Sequence, residues 1–306
     1  MNRVTVRVPA TSANLGPGFD CLGLALSLYN HVTLDVVGKP VEPQVTVRGE
    51  GKDRLPRTSR NLALRAAQRM LRTSSKSMFV AAITLENAIP VGGGLGSSAA
   101  AIIGAMVAAN HLTGETLGRQ DLLALALEYE SHPDNLAPAL FGGLTVSILA
   151  QEGRPVVCAV PPPPGLRAVV LTPNQSISTH QSRATLPATI PYADAVFNVG
   201  RSSLLIASLL TGNYDNLAPA MEDRLHQSYR ATAYPPMPAI LRAALNAGAR
   251  GAALSGSGPS ILALHDGPGD RIAAAMTAAA MAAGLQAITR DLEIVPCGAS
   301  VVPHEH

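Results

Sequence analysis

Residues 90–101 read PVGGGLGSSAAA. Four of the five positions from Gly92 to Gly96 are glycine, two serines follow, and lysine is absent. Upstream, Phe79, Ala81, Ile83 and Leu85 alternate with a period of two, as a half-buried strand does. Downstream, Ile102, Ile103, Met106 and Val107 recur at helical spacing, and Gly114 closes the run. A strand, a bare turn and a serine-led helix make a site for a phosphate chain. Glycine lets the main chain approach an anion, and the first helical turn presents unpaired N–H groups with partial positive charge. A Walker loop needs GxxxxGK, and a dinucleotide fingerprint needs glycine where Ser97 stands. Neither fits, so neutralisation is expected from amides, the helix dipole and a bound Mg²⁺. Taken alone, a flexible turn with capping serines is the competing reading.

Outward from that stretch, Val4, Val6 and Val8 form a strand with one buried face, and Val32, Leu34 and Val36 form another, as do Val45 and Val47. NLALRAAQRMLR predicts a helix over 61–72 with Asn61 at its start. A further helix is expected over 120–131. PPPPG at 161–165 is stiff and cannot continue a sheet, so it is the boundary candidate between residues 1–160 and 161–306. Beyond it come a strand at 167–172, helices near 194–210 and 238–247, and a hairpin within GAALSGSGPSILAL. An alanine-rich helix and a last strand near 285–289 follow. Strands and helices mixed without regular βαβ alternation predict an α+β fold. The hexapeptide DNLAPA occurs at 134 and again at 215, which reads as repeated helix-start chemistry.

Several segments together carry a resemblance. PVGGGLGSSAAA is similar to the PxxxGLGSSAA phosphate loop of the galactokinase, homoserine kinase, mevalonate kinase and phosphomevalonate kinase superfamily. PATSANLGPGFDCLGLAL at 9–26 and ESHPDNLAPALFGG at 130–143 resemble pieces specific to the homoserine kinase family. SISTHQSRATLP at 176–187, EDRLHQSYR at 222–230 and LSGSGPS at 254–260 complete the series. The resemblance implies a two-layer α/β N-terminal kinase domain, like the second domain of ribosomal protein S5. A ferredoxin-like α/β C-terminal domain would complete the substrate site. It implies transfer of the γ-phosphoryl group of ATP to L-homoserine for threonine synthesis.

By the same resemblance Pro90, Val91, Gly92, Gly93, Gly94, Leu95, Gly96, Ser97, Ser98, Ala99 and Ala100 would wrap the triphosphate, with Asn61 on adenine. Ser98 and Glu130 would hold Mg²⁺. On a helix Glu128 and Glu130 sit about 200° apart, so at most one faces the phosphates, and the family pattern selects Glu130. A zwitterionic acceptor needs an anion-binding fork and an ammonium partner. Arg183 and Arg230 match the family's carboxylate-binding arginines, and Asp20 suits the ammonium. Asn14, His132, Asn135, Thr179 and Gly256 match the remaining substrate positions. Asn135 is expected to orient the hydroxyl, with Asp134, on an extended or turning segment, as a structural neighbour. Whether Asp134 or no side chain acts as base stays open at this point. The SGSGPS segment is expected to close over the substrate with backbone N–H groups.

Composition sets the outer limits. The 306 residues carry a formal charge of +2 with no basic stripe, which argues against nucleic-acid and membrane-surface partners. Lys39, Lys52 and Lys76 are the sole lysines. Cys21, Cys158 and Cys297 lie far apart without a CxxC, which fits a reducing compartment rather than a disulfide framework or structural zinc. The N-terminus lacks a signal-peptide core, and no run of about 18 strongly apolar residues occurs, so a cytoplasmic chain is expected. Relatives in the family are often dimers, which leaves a homodimer open. The rival readings are a superfamily kinase with another hydroxyl acceptor, and a non-catalytic nucleotide-binding module. An acceptor without a carboxylate would not need both arginines, and a non-catalytic module would be expected to have lost Glu130 or the serine pair.

Overall fold

A computed structural model describes residues 2–303. The chain runs β1 (Arg3–Ala13), β2 (Leu22–Val37), β3 (Gln44–Gly49), α1 (Leu62–Leu71), β4 (Phe79–Asn87), α2 (Ser97–Thr113), α3 (Arg119–Ala126), α4 (Pro133–Phe141), β5 (Leu144–Leu149) and β6 (Pro155–Val160). It continues through β7 (Arg167–Pro173), α5 (Thr179–Ala184), α6 (Tyr192–Thr211), α7 (Leu217–Ala220), α8 (Gln227–Ala233) and α9 (Met237–Asn246). The last elements are β8 (Gly251–Leu254), β9 (Ile261–His265), α10 (Asp270–Ala282), β10 (Ala287–Glu293) and β11 (Ser300–Val301).

Two sheets organise these elements, and the fold is α+β as expected. The first has the order β11-β1-β2-β4-β3, with β5 on β2 and β6 on β5; its pairs are antiparallel except β3 with β4. The second is antiparallel in the order β10-β7-β9-β8. In chain order β7, the intervening helices, β8, β9, α10 and β10 make the ferredoxin-like βαββαβ arrangement. The strands of the second sheet lie beyond residue 160, whereas Ser300–Val301 return to pair with β1.

Burial follows the patterning. Val4, Val6 and Val8 point inward from β1 and are fully buried. Helix α2 is apolar all round, from Ala99 and Ala100 through Ile102, Ile103 and Met106 to Ala109, and it is buried between the sheet and its neighbours. Small alanines let its backbone come close to β1 and β2, which aims its N-terminus at the site. A second core gathers Val169, Leu171, Ile240, Ile261 and Met276 between β7, β9, α9 and α10.

Two local expectations are corrected. The helix expected over 120–131 ends at Ala126 and gives way to turns, so Glu128 and Glu130 do not share a helix. They still diverge, because Glu128 forms a two-pronged pair with Arg69 at the surface (2.7 and 2.8 Å) and Glu130 turns inward toward Ser98. Asp134 and Asn135 stand in α4 rather than on an extended segment. Pro133 at the first helical position explains this, since its missing N–H and fixed φ suit a helix start. Both DNLAPA copies do lie at helix starts, the second in a 3₁₀ turn at Tyr214–Asn216 leading into α7.

Candidate active site

The segment from Pro90 to Ser98 is fastened to the protein by its carbonyl groups. Gly93 O accepts from Ser260 N (3.1 Å), Gly94 O from Ser255 Oγ (2.6 Å) and Leu95 O from Thr11 N (3.1 Å). Gly92 O faces Ile177 N at 3.4 Å, and Gly96 O accepts from Ala100 N at 2.8 Å. The N–H groups of Gly94, Leu95, Gly96, Ser97 and Ser98 have no protein acceptor among the described residues. Two glycines are dictated by this packing. A Cβ on Gly94 would sit 2.5 Å from Ser255 O at φ +79°, and one on Gly96 would meet Thr11 Oγ1 at φ +69°.

A cavity of about 230 Å³ opens in front of that loop. Pro90, Val91, Gly92, Gly93, Gly94, Gly96, Ser97 and Ser98 form one wall, and Asn61, Leu55, Pro56 and Leu62 form another. Leu95, Ala99 and Ala100 lie beneath the wall, fully buried or nearly so. Asn61 caps α1, with Oδ1 accepting from Leu64 N (3.2 Å) and Nδ2 donating to Pro56 O (2.8 Å), while it also lines the cavity.

A second, smaller cavity of about 40 Å³ adjoins the first. Glu130, Asn135, Thr179, Gly256 and Ser257 belong to both. Its remaining walls are Asn14, Asp20, His132, Asp134, Arg183 and Arg230, so all eight expected substrate residues converge on it. The loop between β1 and β2 turns through positive φ at Asn14, Leu15 and Asp20, and Asn14 Oδ1 accepts from Asp20 N (2.9 Å). Arg183, from α5, grips Asp20 with both terminal nitrogens, Nη1 at 3.2 Å and Nη2 closer still. His132 Nε2 stands 3.7 Å from Asp20 Oδ2.

Electrostatics here are dominated by burial. Asp134 is 4 % exposed and its carboxyl is pushed up to about 7 by burial, with the charges of Asp20 and Glu130 adding to the effect. Burial likewise raises Glu130 to about 7, against the pull of the Ser98 hydroxyl and Arg183. Burial lowers His132 below the usual histidine value and outweighs the charge of Asp20. Arg230 is pushed down to about 10, by burial first and Arg183 second.

Ser98 Oγ donates to Glu130 Oε2 at 3.3 Å. One carboxylate and one hydroxyl suit Mg²⁺, which takes few protein ligands and completes its octahedron with water and phosphate oxygens. Among the described residues no group of three or more His, Cys, Asp or Glu could hold a metal by itself, so any cation here must share its shell with a ligand.

Gly256 corrects one expectation. Its N–H is taken by Ala13 O (3.1 Å) and its carbonyl by Asn14 Nδ2 (3.0 Å) and Arg230 Nη1 (2.9 Å). The SGSGPS turn therefore ties three chain segments together at this residue, whose own N–H is not free for a substrate although the residue lines both cavities. Sequence reading missed Thr11, whose hydroxyl donates to Asn135 Oδ1 at 2.7 Å, and Phe19, whose ring lies 5.2 Å from the Arg183 guanidinium and 5.4 Å from that of Arg230. It also missed His226 and Ser257. Thr11 and Phe19 lie in the quoted 9–26 motif, but no spacing rule marks them.

The GHMP kinases N terminal domain matches residues 61–143, and the GHMP kinases C terminal domain matches 205–283. A homoserine kinase of Moorella thermoacetica is 42% identical over 298 residues, covering 97% of this chain and 98% of the relative. One of Desulfitobacterium hafniense is 42% identical over 300 residues, covering 98% and 100%. The crystal structure of homoserine kinase from Cytophaga hutchinsonii superposes with a TM-score of 0.90 at 31% identity, covering 99% of this chain and 98% of that one. A loop of free amides beside a pocket of paired charges, matched along nearly the whole length of such relatives, places this chain in the homoserine kinase family of the GHMP kinases.

Proposed function

We propose that the chain transfers the γ-phosphoryl group of ATP to the side-chain hydroxyl of L-homoserine, giving O-phospho-L-homoserine and ADP on the route to threonine. The observation that carries this is the row of amides from Gly94 to Ser98 without protein acceptors, set against a pocket that pairs Asp20 with Arg183 and also holds Arg230. Amides at a helix start bind phosphate oxygens without a lysine. Adenine lies against Asn61 and the apolar wall of Leu55, Pro56 and Leu62. In the small cavity the acceptor's ammonium faces Asp20 and its carboxylate faces Arg183 and Arg230. The zwitterion thus takes over the charges that Asp20 and Arg183 satisfy between themselves in its absence.

Asn135 sits where the two cavities meet. With its oxygen held by Thr11, its amide N–H is oriented for the acceptor hydroxyl. Phosphoryl transfer through a loose transition state depends on position and charge stabilisation more than on early deprotonation. Mg²⁺ held by Ser98 and Glu130 would neutralise charge on the phosphate oxygens. A second reading, Asp134 as general base, is favoured by its place in the acceptor cavity and by a pKa near 7. The three cysteines are unpaired, which suits the cytoplasm.

A coupled ADP assay tests the proposal. ADP release should require L-homoserine and be weak with L-threonine or mevalonate; steady release with a non-amino-acid alcohol would remove the assignment. Asp134→Asn and Asn135→Leu separate the two roles. Loss of turnover in Asn135→Leu with ATP binding intact supports the orienting role. Complete loss in Asp134→Asn, with little effect in Asn135→Leu, makes Asp134 the base.

A further inference from the structure

We infer that His226 is a positioning residue, which holds the Arg230 guanidinium so that one edge faces the acceptor's carboxylate. The inference deepens the homoserine reading and rests on it. His226 is fully buried and touches neither cavity. Its Nε2 lies 2.8 Å from Gly16 O and its Nδ1 lies 3.0 Å from Arg230 Nη1. A carbonyl oxygen only accepts and a guanidinium only donates, so Nε2 carries the proton and Nδ1 is the acceptor. A protonated imidazole would set a second donor against Arg230.

The rest of the surroundings agree. Burial holds His226 down to about 4, and the Arg230 charge adds to that, while Asp223 and Asp20 oppose it. The Asp223 carboxylate stands 3.6 Å from Nε2 but is engaged elsewhere. Its Oδ2 accepts from the backbone N–H of His226 (2.9 Å) and Gln227 (2.6 Å), and its Oδ1 from Leu225 N (2.9 Å) and Asn198 Nδ2 (2.8 Å). Phe19 stacks on the imidazole at 5.0 Å.

The consequence falls on Arg230. Its Nη1 is occupied twice, by His226 Nδ1 and by Gly256 O at 2.9 Å. Its Nε is buried with no partner. With Nη1 occupied, the Nε and Nη2 hydrogens form a side-on fork of the shape a carboxylate accepts. Gly16 lies in the same loop as Asp20. His226 therefore also links the loop that receives the ammonium to the helix that receives the carboxylate, which sets their separation.

The test divides the two ends of the imidazole. In His226→Gln the amide can still donate to Gly16, but nothing accepts from Arg230. In His226→Asn the side-chain oxygen replaces Nδ1. His226→Gln should raise KM for L-homoserine roughly 10-fold, as expected for a lost charged hydrogen bond, with KM for ATP within about twofold; His226→Asn should recover most of it. As an inhibitor competing with L-homoserine, 3-aminopropan-1-ol, which lacks the carboxylate, should show inhibition constants for the Gln variant and the wild type that differ by less than about twofold. In an Arg230→Met background His226→Gln should add nothing. Equal increases in both KM values, or a full additional loss in that background, would overturn the inference. NMR of ¹⁵N-histidine-labelled, unliganded protein should show His226 neutral with Nε2 protonated at pH 5.5; an imidazolium or the other tautomer overturns it. The NMR result does not depend on the acceptor, so a wild type that releases no ADP with L-homoserine refutes the function alone.

Discussion

The two cavities that meet at Asn135 are built from opposite materials. The larger is walled mainly by main chain, small residues and apolar side chains, with Arg60 and Glu130 its charged members. The smaller concentrates Asp20, Glu130, His132, Asp134, Arg183 and Arg230 around about 40 Å³. A triphosphate spreads its charge over many oxygens, and a row of fixed amides matches it whatever the side chains are. An amino acid carries two charges at set positions, and side chains of matching sign must be held at matching positions. The first cavity is therefore tuned by backbone geometry and the second by ion pairing, and mutations should divide accordingly.

The largest effect is expected from Arg183→Met. It removes the partner of Asp20 and a carboxylate donor together, so kcat/KM for L-homoserine should fall roughly 100- to 1,000-fold, with KM for ATP nearly unchanged in steady-state assays. A parallel rise in KM for ATP would erase the distinction between the cavities. Next comes the pH response of Asp134. Its folded value near 7 exceeds the ordinary value of 3.8, so the folded state keeps a proton that the unfolded chain has already released. Stability is then full below about pH 4 and is lost as pH rises toward and through 7, by on the order of 4 kcal/mol in all and about 3 kcal/mol between pH 5 and pH 8. Urea unfolding at pH 5 and pH 8 should show that loss in the wild type and a smaller one in Asp134→Asn.

Gly94→Ala should cost roughly 2 kcal/mol in urea unfolding, because its methyl meets Ser255 O and Gly258 O at a left-handed φ. Wild-type stability in that variant would mean that glycine is there for phosphate alone. Asn61→Ala should cost about 1 kcal/mol through the lost cap and raise KM for ATP a few-fold. Smallest of all is Glu128→Gln, which breaks an exposed pair with Arg69 and should change stability by at most about 0.5 kcal/mol, with activity intact.

Much of this was legible from one dimension. Alternating valines marked β1 and β2, the glycine stretch marked one wall of the larger cavity, and the residues expected around an acceptor converge on the smaller one. What was hidden depends on contacts far apart in sequence. Thr11 meets Asn135 across 124 residues and His226 meets Gly16 across 210, and no local period reports either. Helix α4 was half legible: DNLAPA marked a helix start, yet the segment at Asp134 reads as extended or turning. Pro133 stands where a helix N–H lacks an acceptor, and Pro138 is accommodated inside the helix. Gly94 and Gly96 were assigned to ligand approach, whereas crowding by neighbouring backbone and Thr11 already demands them.

Ser300–Val301 add a strand to β1, and Val302 N donates to Thr5 O at 2.8 Å. During synthesis the outer side of β1 must wait for these residues to leave the ribosome. Until then it shows a growing polypeptide an open row of donors and acceptors, a template for pairing with another strand.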